Sequence, residues 1–362
     1  MQIEYKGFMM IATFLKITRI VVIMLALGLL TVSLALSAPP KVPDLAVEPP
    51  KASAGPTIVQ VGLWLVDIDS IDSAAQSFVA NVFVQLNWRD ERLAHKDQTP
   101  QVIKLVDIWS PGVLIINEIG RVRKTLPEVV KVQPDGTVIY HQRYVGSFSQ
   151  PLDLRDFPFD EQRFRLHLVR STKISRDVQF VQDEKLITDG FPHAVGISED
   201  ISLPDWTIES YTAGPLPYKL TDNIQAAGYA FDFIAKRDSR YYVYKVIMPL
   251  ILIVMMSWAV FWINPKEAGT QISISTASML TLIAYRFTVD LLVPRVSYMT
   301  RLDMFILGST FLVFFALIQA LVTSSLMRRG NEILSLKIDY LCRFLFPVLF
   351  SLVLVVSFSA KA

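Results

Sequence analysis

The sequence predicts an α+β membrane protein: an extracellular, all-β, immunoglobulin-like sandwich followed by a four-helix transmembrane bundle. Three observations carry that reading. An apolar N-terminal run has the layout of an export signal. Residues 57–242 alternate apolar and polar side chains in short runs separated by turns. Four long apolar stretches then follow Tyr241. The length of 362 residues allows about two domains. Hydrophobic residues make up 52% and charged residues 19%, a balance too apolar for a wholly soluble chain. A net charge of +2 gives no electrostatic basis for nucleic-acid binding. The single cysteine, Cys342, lies in a late apolar run. Cysteine metal sites are therefore excluded, and the exported part has no disulfide.

The elements follow in chain order. Lys6, Lys16 and Arg19 precede an apolar run at 20–36, and the small residues Ala35, Ser37 and Ala38 close it. Residues 1–38 thus read as a secretory signal, with an uncleaved membrane anchor as the alternative. Pro39, Pro40, Pro43, Pro49, Pro50 and Pro56 make 39–56 an extended leader.

Strand patterning fills 57–242. In SFVANVFVQLNW, Phe78, Ala80, Val82, Val84, Leu86 and Trp88 alternate with a set that includes Asn81, Gln85 and Asn87, a period of two with one buried face. RFRLHLV repeats it: Phe164, Leu166 and Leu168 face one way, Arg163, Arg165 and His167 the other. Pro134, Asp135 and Gly136 mark a hairpin turn. Many short strands with turns between them predict a sandwich.

The membrane part, 243–362, carries apolar stretches at about 243–262, 270–292, 303–326 and 338–358, each long enough to span a bilayer as a helix. Lys266 lies in the first linker, and Arg328, Arg329 and Lys337 in the third. With an exported N-terminal domain both linkers face the cytoplasm, as basic residues prefer; Arg295 and Arg301 run against that bias. The second span differs from the rest, with Thr270, Gln271, Ser273, Ser275, Thr276, Ser278, Thr281 and Thr288. A polar-striped helix among apolar ones packs on partners or faces water. Several copies around an axis enclose a pore, which makes an oligomer.

The stretch FPFDEQ at 157–162 adds specificity. Pro158 cannot donate a ladder hydrogen bond, so Phe157 and Phe159 read as anchors of a loop that presents Asp160. Placed before four membrane spans, FPFDEQ resembles the signature loop of the pentameric ligand-gated ion channels, the Cys-loop receptor superfamily. The resemblance runs from about Thr57 to the C-terminus. It is carried also by Trp88, Arg89 and Asp90, by PDGTVIY at 134–140, PLDLRDFPFDEQ at 151–162, SWAVFW at 257–262 and LTLIAY at 280–285, and by Pro294 with Tyr298, Met299 and Thr300. Gln150 and Arg163 stand where animal receptors have the loop cysteines, as in bacterial members.

The resemblance implies a homo-pentamer in a lipid bilayer that passes monovalent cations when a small-molecule agonist or a change of pH acts on the sandwich. It implies a coupling interface at the base of the sandwich, formed by Phe157, Pro158, Phe159, Asp160, Arg237 and Pro294, with Asp72 as the nearest acidic candidate for a third charged member. The alternative for Asp160 is a carboxylate that caps its own turn. Two pore registers are open. Counting from LTLIAY and Pro294 gives Ser273, Ala277, Leu280, Ala284 and Phe287, with Leu280 and Phe287 as hydrophobic constrictions. Counting from Trp262 and Glu267 gives Gln271, Ser275, Ser278, Leu282 and Tyr285. The counts differ by two residues; we place that insertion in the preceding linker and favour the Leu280 stripe. Glu267 at the cytoplasmic mouth and Asp290 at the outer mouth then favour cations.

The resemblance also implies a ligand site between neighbouring sandwiches, under a loop at 213–228: Tyr211, Tyr218 and Arg170 are candidates on the principal face and Arg143 on the complementary one, where arginine and tyrosine suit a carboxylate with an aromatic body. A proton-sensing histidine of one bacterial relative is absent from the second span, where Leu282 stands. His95, His141, His167 and His193 are the remaining candidate pH sensors. No nucleophile elbow, metal-ligand cluster or phosphate loop is present, so no catalytic residue, metal or cofactor is assigned. The alternative function is a non-conducting, membrane-anchored envelope sensor.

Overall fold

The computed structural model describes residues 50, 55–171, 178–182, 193–222 and 224–359. The segments read as signal and leader, 1–38 and 39–56, lie outside the described residues except for Pro50, Gly55 and Pro56.

Among the described residues, fourteen strands precede the long helices: β1 (Thr57–Asp72), β2 (Ser77–Arg89), β3 (Gln101–Lys104), β4 (Val113–Ile115), β5 (Glu118–Lys124), β6 (Val129–Val132), β7 (Thr137–Ser149), β8 (Glu161–Arg170), β9 (Val178–Val181), β10 (Val195–Ile197), β11 (Trp206–Pro215), β12 (Tyr218–Thr221), β13 (Ile224–Ala226) and β14 (Gly228–Arg237). One sheet runs β10-β1-β2-β7-β6-β3, with β5 on β7 and β9 on β1. The second runs β11-β14-β8-β4, and β12 and β13 form a separate hairpin. Period-two patterning puts Phe78 of the first sheet against Phe164 and Phe233 of the second, with ring centroids 5.3 and 5.8 Å apart. These rings are fully buried and join the sheets into a sandwich.

The alternation holds on β2 for Phe78, Ala80, Val82, Val84, Leu86 and Trp88, but its far half is buried on both faces. Gln85 and Asn87 are covered, and the Gln85 amide donates to Asn87 Oδ1 at 3.0 Å. A hydrogen bond between neighbours on one face lets polar side chains go inside. At the turn between β6 and β7, Gly136 has φ +81° and lies where a Cβ would come within 2.5 Å of the Asp90 carbonyl oxygen. Both facts demand glycine.

Among the described residues, four helices are long and apolar enough to cross a membrane: α1 (Arg240–Trp262), α2 (Ala268–Val289), α3 (Arg301–Arg328) and α4 (Glu332–Ser359). Helix α4 begins at Glu332 rather than near 338. Its charged first turns look like linker in sequence, yet they have partners: Lys266 pairs with Glu332, and Asp339 accepts from the amides of Gln271, at 3.4 Å, and Gln319. Two helices contain proline. Pro249 in α1 follows a stretch of wider, π-type geometry at Val243–Ile247; Pro347 interrupts α4.

Candidate functional site

The ladder between β8 and β14 builds the junction. Gln162 pairs with Ala235 and Glu161 with Lys236, so the next step sets Asp160 beside Arg237. The Arg237 N–H donates to the Asp160 carbonyl at 3.1 Å, and the side chains meet twice, Nε to Oδ1 at 2.7 Å and a terminal nitrogen to Oδ2 at 3.1 Å. The two side chains are only 1% and 6% exposed. Asp160 therefore does not cap its own turn. Gln162 donates to its Oδ2 at 2.7 Å, and Arg237 donates to Ser73 Oγ at 2.9 Å. Trp206, opposite Arg237 on β11, and Phe157 cover the guanidinium at 4.1 and 4.9 Å from their ring centres. A paired, hydrogen-bonded and ring-covered cation is the form in which charge is tolerated inside a protein.

Asp72 is not the third member. Its Oδ1 accepts from the N–H groups of Ala74 and Ala75 and so closes the β1–β2 turn. Ser73, one residue on, reaches Arg237 instead. The third partner is a hydroxyl, not a charge. Gln162 lies inside FPFDEQ, whereas Trp206 and Ser73 carry no local signal in the sequence.

Phe157 is fully buried, and its ring meets Tyr242 of α1 edge-on at 4.7 Å. Phe159 is exposed on one side and meets Phe358 of α4 at 5.6 Å. The Phe157–Pro158 peptide is cis. The same loop seats the start of α3: the N–H groups of Arg301 and Leu302 donate to the carbonyls of Arg155 and Phe157. Arg301 also donates to Asp156 Oδ1 at 2.7 Å and to the Phe358 carbonyl at 2.9 Å. That contact explains a cation placed against the charge bias of membrane proteins. Pro294 lines a cleft of about 650 Å³ between the membrane helices and the sandwich base, with Asp72, Arg237, Tyr242 and Leu292.

On α2 the two sequence stripes separate by burial. Gln271, Ser275 and Ser278 are fully buried and Leu282 nearly so, packed within the subunit's own bundle. Tyr285 donates its hydroxyl to α1. Ser273, Ala277, Leu280, Ala284 and Phe287 are exposed on the other face, Leu280 by 67% and Phe287 by 71%. Glu267 stands at the N-cap position of α2, its carboxylate making no cap bond and lying exposed, while its neighbour Lys266 pairs with Glu332. Asp290 caps the far end and is exposed.

The expected ligand residues do not form one cluster in the subunit. Arg143, on β7 of the first sheet, donates to Asn81 Oδ1 at 2.7 Å. Arg170 is buried at the end of β8. Tyr211 on β11 is half exposed, stacks on Phe231 and lines a cleft of about 530 Å³ with His193. Tyr218 opens the β12–β13 hairpin and lies edge-on to His167, whose Nε2 is 2.9 Å from the Leu216 carbonyl oxygen. Burial pushes the His167 pKa below its ordinary value, and Arg165 acts in the same direction. Gly228 makes this seat possible, since a Cβ there would collide with the Leu216 carbonyl oxygen. The described residues hold no group of three or more metal ligands.

A β-sandwich seated on four membrane helices through its 155–159 loop is the arrangement of a ligand-gated membrane channel. The model for the neurotransmitter-gated ion-channel ligand binding domain matches residues 44–214, and that for the neurotransmitter-gated ion-channel transmembrane region matches 246–335. The chain is 30% identical over 318 residues to a proton-gated ion channel of Gloeobacter violaceus, covering 85% of this chain and 84% of that one. It is 25% identical over 279 residues to the gamma-aminobutyric acid receptor subunit beta-4 of Gallus gallus, covering 75% of this chain and 55% of that one. The chain belongs to the neurotransmitter-gated ion-channel family. It is a multi-pass membrane channel with an extracellular ligand-binding domain and works as an oligomer; it is not an enzyme.

Proposed function

We propose that five copies of this chain form a cation-selective channel lined by the Ser273, Ala277, Leu280, Ala284 and Phe287 face of α2. The observation that carries the reading is the exposure pattern of that helix. The competing stripe is spent on contacts inside the subunit, so the free face is the one left for an axis. Leu280 and Phe287 narrow the pore with apolar rings that exclude water when closed. Glu267 concentrates cations at the inner mouth, and Asp290 adds the same sign at the outer one. The Asp160–Arg237 pair, backed by Phe157, Phe159 and Pro294, passes movement of the sandwich to the helices. The ligand acts between neighbouring sandwiches, with Tyr211, Tyr218 and Arg170 from one subunit and Arg143 from the next. Protons are the first activator to test, because one curated relative is a proton-gated channel and His167 lies under the β12–β13 hairpin.

The test is native mass spectrometry of the purified protein, with planar-bilayer recording while pH, small carboxylates and small amines are varied. Five-subunit rings and gated currents are expected. Monomers in mild detergent with no current under any condition would leave the non-conducting sensor as the better reading.

A further inference from the structure

We propose that Tyr285 is a positioning residue for gating: its hydroxyl ties α2 to the proline break in α1 and so sets the angle of the outer half of the pore helix. The inference rests on the reading of α2 as the pore-lining helix. It starts from Pro249. The Met248 N–H closes on the Val243 carbonyl in the wider π-type register, and proline at 249 has no N–H to close the next step on either the residue-244 (π) or the residue-245 (α) carbonyl. In a membrane such a freed carbonyl is re-satisfied by neighbouring helices. Here the Tyr285 hydroxyl stands 3.2 Å from the Lys245 carbonyl oxygen and 2.7 Å from that of Val246. One donor is shared between the carbonyls four and three residues before the proline, inside the π-type stretch Val243–Ile247.

The position of this contact gives it leverage. Upstream, α1 begins three residues after Arg237 of the buried pair. On α2, Tyr285 lies between Ala284 and Phe287, so tilting it moves the proposed constriction directly. The same chemistry recurs away from the pore helix. Pro347 frees the Arg343 carbonyl in α4, and the Trp258 indole N–H donates to it at 3.0 Å. Trp258 lies on α1, so this second contact joins two helices without touching α2. It supplies an internal control.

The experiment is a double-mutant cycle on the full channel. Open probability is recorded without ligand in a Leu280→Ser background, alongside the thermal midpoint of the detergent-purified protein. Tyr285→Phe removes only the hydroxyl. Pro249→Ala supplies the missing N–H, which lets the stretch return to α-helical register and close on the Lys245 carbonyl. A lost hydrogen bond corresponds to about a fivefold change in an equilibrium, so Tyr285→Phe should shift the open-to-closed ratio by about fivefold or more with Pro249 present. The shift should shrink to about twofold in the Pro249→Ala background, because the carbonyl then has a second donor. Trp258→Phe should lower the midpoint and leave the ratio unchanged. Equal shifts in both backgrounds, no shift in either, or an equal shift from Trp258→Phe would overturn the proposal. If Leu280→Ser gives no current at all, the pore reading fails instead. The midpoints then still decide the contact: additive losses for Tyr285→Phe and Pro249→Ala would overturn it.

Discussion

Asp160 and Arg237 share two side-chain contacts and one backbone bond under the rings of Trp206 and Phe157. Asp160→Asn keeps the shape but leaves a buried guanidinium without its counter-charge. Removing one partner of a buried pair costs about 3–5 kcal/mol, whereas exposed pairs matter little. Asp160→Asn and Arg237→Ala should therefore lower the thermal midpoint and impair opening while rings still assemble. Unchanged melting and unchanged activation in both variants would remove the pair from the gating linkage. At Leu280 the argument is solvation. Serine in place of an exposed leucine wets a ring of apolar side chains, and the open state should gain. If Ser278 substitutions alter gating and Leu280 substitutions do not, the buried stripe lines the pore after all.

Elements carry the next level. His167 sits on β8 beneath the β12–β13 hairpin, with Arg165 and Asp232 as its charged neighbours and Tyr218 against its ring. Its neutral ring can donate one N–H to the Leu216 carbonyl; a second proton would need another acceptor in a buried place. The folded pKa lies below the ordinary 6.5, so the unfolded chain takes the proton first. The seat is then fully stable above about pH 6.5 and weakens as pH falls from there toward the folded pKa. Hydrogen-exchange protection in residues 216–228, taken relative to the intrinsic rate at each pH, should fall over that window, and His167→Gln should flatten the dependence. Protection that does not change with pH in the unmodified protein would refute it. What was legible in sequence follows from the same physics. Alternation revealed β2 and β8, and a long apolar run revealed each membrane helix, because both signals are local. The start of α4 was hidden, since Glu332 and Asp339 are accommodated by residues on other segments. Ser73, Trp206 and the Arg301–Asp156 pair were hidden for the same reason: their partners lie far along the chain.

At the scale of the whole molecule the question is which ions pass, and it turns on the inner mouth of the ring. Glu267 and Lys266 are neighbours with opposite charges, so sequence alone leaves the sign open. The ion pair of Lys266 with Glu332 of α4 draws that cation toward the subunit's own bundle, while Glu267 stays exposed at the first turn of α2. One carboxylate about 10 Å from an ion contributes about 0.4 kcal/mol in water. Five around the proposed ring would sum to about 2 kcal/mol, more than tenfold in local cation concentration before salt screening. Asp290 at the far end would add a weaker field of the same sign. Glu267→Gln should therefore lower cation over anion permeability, moving the reversal potential in a salt gradient toward the chloride value. Lys266→Gln should change it little, because the lysine is already paired. A reversal potential near the chloride equilibrium value in the unmodified protein would refute cation selectivity. A large shift from Lys266→Gln with none from Glu267→Gln would mean that the lysine, not the glutamate, faces the axis.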